Sequence, residues 1–203
     1  MTVLVLATNN QGKVREFRDL LADLPLTVIA AREAGVNAFP PEIGATFAEN
    51  ARAKARFVSA MTGKPALADD SGLNVDALDG APGVLSARFG GEGLDDRGRT
   101  LLLLERLRAV PQALRAASFV AALALALPDG RLIESEGMVE GTIADEPRGS
   151  AGFGYDPVFI VGNTGRTLAE MREAEKNAIS HRARALDALR PRLIAALSAG
   201  ETH

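Results

Sequence analysis

After Ser118 the chain is apolar at every position as far as Leu127, at odd and even places alike. A strand exposed on one face alternates apolar with polar residues, so an unbroken run of this kind reads as a central strand covered on both sides. Phe119–Pro128 is the longest such run in the sequence, and it is about half of the 18 to 20 residues that a membrane span needs. Pro128-Asp129-Gly130 then turns the chain into Arg131–Glu136, which predicts a hairpin.

Short strands and helices alternate around this segment. Val3–Ala7 and Thr27–Ala30 read as strands, with Val14, Phe17, Leu20 and Leu21 at helical spacing between them. Pro40 and Pro41 make Ala38–Gly44 a loop, since neither suits a helix interior. Thr46-Phe47-Ala48-Glu49 has capping-box form and starts a helix to about Met61, with Phe47, Ala51, Ala55 and Val58 on one face. Ala66–Ala68 is a third strand, Gly80–Gly83 a turn, Asp95–Leu107 a helix and Val158–Val161 a strand. A last helix covers about Asn177 to Ser198, with Pro191 as its kink or break. The pattern predicts one α/β domain over residues 1–203, on a mixed β-sheet with flanking helices.

Composition removes several function classes. There is no cysteine, so disulfides, thiolate metal sites and a cysteine nucleophile are out. The two histidines, His181 and His203, cannot make a histidine-rich metal centre. A net charge of -3, with arginines such as Arg97, Arg99, Arg106, Arg108 and Arg115 spaced along solvated faces, argues against a nucleic-acid scaffold. Met1-Thr2-Val3-Leu4-Val5-Leu6 has no basic leader and reads as a strand rather than a signal peptide. A cytoplasmic protein without a membrane or nucleic-acid partner is expected.

Five places carry candidate chemistry. Asp69 and Asp70 close the apolar run Ala66-Leu67-Ala68. Adjacent carboxylates repel, and a Mg²⁺ ion, which takes one or two carboxylates plus water and phosphates, relieves that; Asp-Asp-Ser-Gly is equally good chemistry for a solvated turn. Thr8-Asn9-Asn10-Gln11-Gly12-Lys13, between a strand and a helix, suits an anion or is an ordinary connecting turn. Glu42, between prolines and a glycine, is an exposed loop acid or a third carboxylate for the aspartate pair, whereas Glu49 belongs to the capping box. In Gly152-Phe153-Gly154-Tyr155-Asp156-Pro157 the glycines admit a close ligand and an aromatic can stack on a base; alternatively Phe153 packs in the core. Lys176, Ser180 and His181, with Arg182, share a charged helical stretch that either faces solvent or holds a phosphate or base carbonyl.

Taken together these segments, with Thr46–Ala51 and Gly80–Phe89, resemble the Ham1-like inosine triphosphate pyrophosphatases, in the order that family shows. The resemblance implies an elongated mixed-sheet α/β fold with two lobes around a central cleft, and a homodimer. It implies hydrolysis of non-standard purine nucleoside triphosphates (ITP, dITP, XTP, dXTP) to monophosphate and pyrophosphate. By position it makes Asp70 the proton acceptor and a Mg²⁺ ligand, with Glu42 as second ligand and Mn²⁺ as a substitute ion. Substrate-binding positions fall on Thr8, Asn9, Asn10, Gln11, Gly12, Lys13, Ser71, Phe153, Gly154, Tyr155, Asp156, Lys176, His181 and Arg182. One departure is Ile43, where bacterial members commonly carry threonine after the glutamate. The alternatives are a pyrophosphatase for other damaged or pyrimidine nucleotides, and a nucleotide sensor that does not hydrolyse.

Overall fold

The computed structural model describes residues 2–91 and 93–199, so the terminal His203 lies outside them. In chain order the elements are β1 (Thr2–Leu6), α1 (Gln11–Leu20), β2 (Leu26–Ala30), α2 (Phe47–Thr62), β3 (Ala66–Val75), α3 (Asp96–Arg106), β4 (Ala116–Ala126), β5 (Leu132–Ile143), β6 (Phe159–Val161), α4 (Glu173–Ile179) and α5 (His181–Ala199), with short 3₁₀ turns between. The strands form a six-stranded mixed sheet in the order β2-β1-β3-β4-β5-β6. β1 is parallel to β2 and β3, and β5 is antiparallel to β6. No helix among the described residues is long and apolar enough to cross a membrane.

The chain divides into two compact units, one holding the residues up to Asp70, Ala121–Gly137 and those from Arg182 onward, the other Ser71–Val120 and Met138–His181. In the first unit strand alternation sorts the core into two layers. Leu4, Leu6, Leu67, Leu123 and Leu125 face α1 and α5, packing on Val14, Phe17, Leu186, Leu189 and Leu193. The residues between them, Val5, Ala7, Ala66, Ala68, Ala122 and Ala124, face α2 through Ala51, Ala55 and Val58. Leucine on one side of β4 and alanine on the other let α2 approach closely, and both faces of this strand are covered. The second unit packs Leu73, Val75, Leu103, Leu107, Phe119, Ile143, Tyr155 and Phe159 into its own core, with the rings of Phe119 and Phe159 4.7 Å apart.

Two elements differ from the sequence reading. β3 does not stop at Ala68 but continues through Asp69, Asp70 and Ser71 to Val75. Turn chemistry loses here because both carboxylates find buried cations along an extended strand. The C-terminal helix is broken at Ser180 and not at Pro191: Ser180 is extended (φ -66°, ψ 158°) between α4 and α5, and Pro191 lies inside α5. Serine in that conformation is a favoured residue for starting a helix, and it does so here before the proline is reached.

Candidate functional site

Two polar centres emerge, one in each unit. In the first, β1 has β2 on one side and β3 on the other, so chain connections diverge at its carboxyl end, where α/β sheets expose ligand-binding loops. The loop after β1 is held by its own side chains. Asn10 caps α1 by accepting from the Gly12 and Lys13 amides (2.8 and 3.2 Å), and Thr8 Oγ1 accepts from the Asn10 amide (3.1 Å). The Gly12 and Lys13 amides are therefore already engaged. Asn9 Nδ2 donates to the Asn37 carbonyl (3.3 Å), while Asn9 Oδ1 is buried without a partner among the described residues. Gln11 is exposed at the start of α1.

Asp69 and Asp70, adjacent in a strand, point to opposite faces. Asp69 lies on the α1/α5 face, where Oδ2 meets Lys13 Nζ at 2.7 Å and Arg182 Nε at 3.1 Å. Arg182 also donates to buried Glu16 (3.1 Å). Burial opposes the Asp69 charge, but Lys13 and Arg182 hold its carboxyl well below the usual range; burial pushes the Lys13 ammonium below its own. Asp70 lies on the α2 face. Its Oδ1 accepts from Lys54 Nζ (2.8 Å) and its Oδ2 from Asn50 Nδ2 (3.1 Å). Lys54 places its other two donors on Glu42 Oε1 (2.9 Å) and the Asp69 carbonyl (3.1 Å), which uses all three. Burial raises the Asp70 carboxyl above the normal range; Lys54 opposes this and Glu42 adds to it. The Lys54 ammonium is itself raised, Asp70 and Glu42 outweighing its burial. The pairing of Asp69 with Asp70 around one cation is thus replaced by a pairing of Glu42 with Asp70.

In the second unit, Asp156 is the hinge of the glycine-rich loop. Its buried Oδ2 accepts from the Phe153 amide (2.9 Å) and from Lys176 Nζ (2.7 Å). The same ammonium stands 4.9 Å over the Phe153 ring, a cation–π arrangement. Phe153 is half-buried and lies outside the core cluster. Gly152 has φ +76°, and any side chain there would collide with the Asp156 carboxylate. Tyr155 is buried in the core, its hydroxyl donating to the Ser86 carbonyl (2.9 Å), so it supports the loop from beneath. His181 is buried and stacked on Phe119, ring centroids 4.8 Å apart. Ser71, next to Asp70 in β3, is half-buried.

A model of the Ham1 family matches residues 4–192. The chain belongs to the Ham1 family. A protein of Thermus thermophilus named dITP/XTP pyrophosphatase is 53% identical over 186 residues, 92% of this chain and 89% of its own. Its namesake in Geobacter sulfurreducens is 48% identical over 198 residues, 95% of this chain and 97% of its own. Among solved structures, a HAM1 protein from Coxiella burnetii superposes with a TM-score of 0.86 at 45% identity, covering 96% of this chain and all 100% of that one. The Staphylococcus aureus Ham1 protein gives 0.83 at 38% identity over 96% and 99%.

Three polar residues of this Ham1 chain were missed by sequence reasoning: Lys54, Asn50 and Glu16. All are buried. Asn50 and Lys54 stand four apart among Ala51, Ala55 and Val58, so the helical period already put an amide and a lysine on the inward face of α2. A buried lysine needs a buried acid, and that was the available signal.

Proposed function

We propose that this chain hydrolyses non-standard purine nucleoside triphosphates, ITP, XTP and their deoxy forms, to the monophosphate and pyrophosphate, with Mg²⁺ held by Glu42 and Asp70. The observation that carries the reading is the convergence of Glu42 and Asp70 on one buried ammonium, in a chain about half identical to proteins named dITP/XTP pyrophosphatase. The residues suit the ion. Their donors are hard carboxylate oxygens, and Glu42 and Asp70 both reach the single ammonium of Lys54. Mg²⁺ commonly takes one or two carboxylates and fills its shell with water and substrate phosphates. When bound, Mg²⁺ supplies charge neutralisation and Lewis acidity at the phosphates; Mn²⁺ takes the same oxygen donors and is expected to substitute.

The chain's own residues do the rest. Asp70, with its carboxyl raised by burial, accepts the proton of the attacking water, and Lys54 and Asn50 fix the carboxylate in place. Lys13, with Thr8, Asn9, Asn10, Gln11 and Gly12 around it, meets the charge that develops on pyrophosphate. In the second unit Phe153 stacks on the base, Asp156 and Lys176 hold the loop, and Gly154, Tyr155 and Ser71 line the nucleoside side. Donors of His181 and Arg182 favour the keto oxygen at C6 of hypoxanthine or xanthine; adenine presents an amino donor there, a mismatch of donor against donor. The homodimer and the cytoplasmic setting that the family resemblance implies belong to the same proposal, and sedimentation tests the first.

The test is pyrophosphate release from ITP, XTP, dITP, ATP and GTP, with and without Mg²⁺, for wild type and Asp70→Asn. Mg²⁺-dependent release from the first three is expected, reduced about 10³-fold in the variant, within the range for losing a general base. Orthophosphate as the direct product would overturn the cleavage site, and equal turnover of ATP would overturn the specificity.

A further inference from the structure

The glycine-rich loop is braced by a helix to which no role has been assigned. Residues Asp96 and Thr100 stand four apart, on one face of α3. Asp96 Oδ2 accepts from the Gly154 amide at 3.0 Å, and Thr100 Oγ1 donates to the Gly154 carbonyl at 3.2 Å. Both polar groups of one loop residue are therefore held by the same helix. α3 is firmly set: Asp95 caps it by accepting from the Gly98 amide (2.7 Å), and Leu103 and Leu107 sit in the core of the second unit. The other Asp96 oxygen lies 3.4 Å from Arg99 Nη1, which orients the carboxylate towards the loop.

The consequence falls on Phe153. Its own amide is bound by Asp156, and the amide that follows it, that of Gly154, is bound by Asp96. The two N–H groups flanking its Cα are thus both tied to carboxylates, which pins φ and ψ and with them the direction in which the ring leaves the backbone. Lys176 stands over one face of the ring. We propose that Asp96 and Thr100 are positioning residues that hold Phe153 as a preformed platform for the purine base. The proposal rests on the reading of function above. The contacts that Asp96 and Thr100 make with the loop lie within the second unit, so their loss should weaken nucleoside binding and spare the chemical step.

The Asp96 carboxylate is 60% exposed and Thr100 Oγ1 also donates to the Asp96 carbonyl (2.9 Å), so each bond alone is modest and the double variant is the informative one. For Asp96→Ala/Thr100→Val in the full chain, KM for ITP should rise about tenfold with kcat within about twofold of wild type, the scale of one charge-assisted and one shared neutral hydrogen bond. Inhibition by inosine monophosphate should weaken in proportion, while inhibition by inorganic pyrophosphate stays unchanged. Asp96→Asn keeps an acceptor for the Gly154 amide and should stay near wild type, and Thr100→Ser should recover what Thr100→Val loses. An unmoved KM, an equal loss of pyrophosphate inhibition, or a fall in kcat at constant KM would each overturn the proposal, as would Asp96→Asn behaving like Asp96→Ala. A wild type that releases no pyrophosphate from ITP would overturn the reading of function and this proposal with it. An active wild type with unmoved variants overturns this proposal alone.

Discussion

The two polar centres solve different problems with different materials. In the first unit the charges ride mostly on regular elements, Asp69 and Asp70 on β3, Lys13 on α1, Lys54 on α2 and Arg182 on α5, with acids and cations interleaved. In the second unit the buried pair Lys176–Asp156 and the Asp96 carboxylate order a loop that also meets a hydroxyl and carries an aromatic ring. Two carboxylates that share one ammonium have hard oxygen donors to offer a divalent cation, so the first centre is suited to metal and phosphate. The second offers a half-buried aromatic ring on an anchored loop, which suits a heterocycle. On the proposed function, rigid side chains on strands and helices would serve chemistry, and backbone held by side chains would serve recognition.

That contrast breaks most readily at Lys54. Lys54→Met leaves Glu42 and Asp70 facing each other without their ammonium, and removing one partner of a buried ionic group costs on the order of 4 kcal/mol. Denaturant melts in EDTA should show this loss, and Mg²⁺ should recover a larger share of stability in the variant than it adds to wild type, because a divalent ion can take the vacated role. Asp156→Ala should cost about 3 kcal/mol, slightly less because the stranded Lys176 still has the Phe153 ring. Its melt should respond to Mg²⁺ no more than that of wild type. A Mg²⁺ response of equal size in both variants would erase the distinction between the centres.

Much of this was legible in the sequence, for reasons that can be located. The central strand showed in an apolar run without alternation, and both centres showed as motifs of glycine, acid and lysine. What stayed hidden was direction. Whether Asp69 and Asp70 share a turn or alternate across a strand depends on cations that arrive from α1, α2 and α5, up to 113 residues away in the chain, and those tertiary pairings override local turn preference. Glu16 was passed over because nothing local marks a helix glutamate as buried; the register of α1 against the sheet turned it inward. Glu49 was read as the closing arm of a capping box with Thr46. Thr46 Oγ1 does accept from the Glu49 amide (3.2 Å), yet the Glu49 carboxylate accepts from Ala45 (2.7 Å), one residue earlier. The signal was sound and the atom was off by one.

The smallest expected effect sharpens the comparison at the loop between Pro40 and Gly44. Ile43 is 91% exposed beside Glu42, whereas in the second unit's loop Phe153 is half-buried and tethered at both flanking amides. A side chain so exposed makes little packing contribution, so Ile43→Thr should change stability by less than about 0.5 kcal/mol. Glu42 is held by Lys54 and not by its neighbour's side chain, which predicts that the concentration of Mg²⁺ giving half-maximal activity will also move by less than about twofold, a change of under roughly half a kcal/mol. A larger shift would mean that the loop, like that around Phe153, depends on the side chain at its tip, and the division between a site built on regular elements and one built on a loop would have to be redrawn at Glu42.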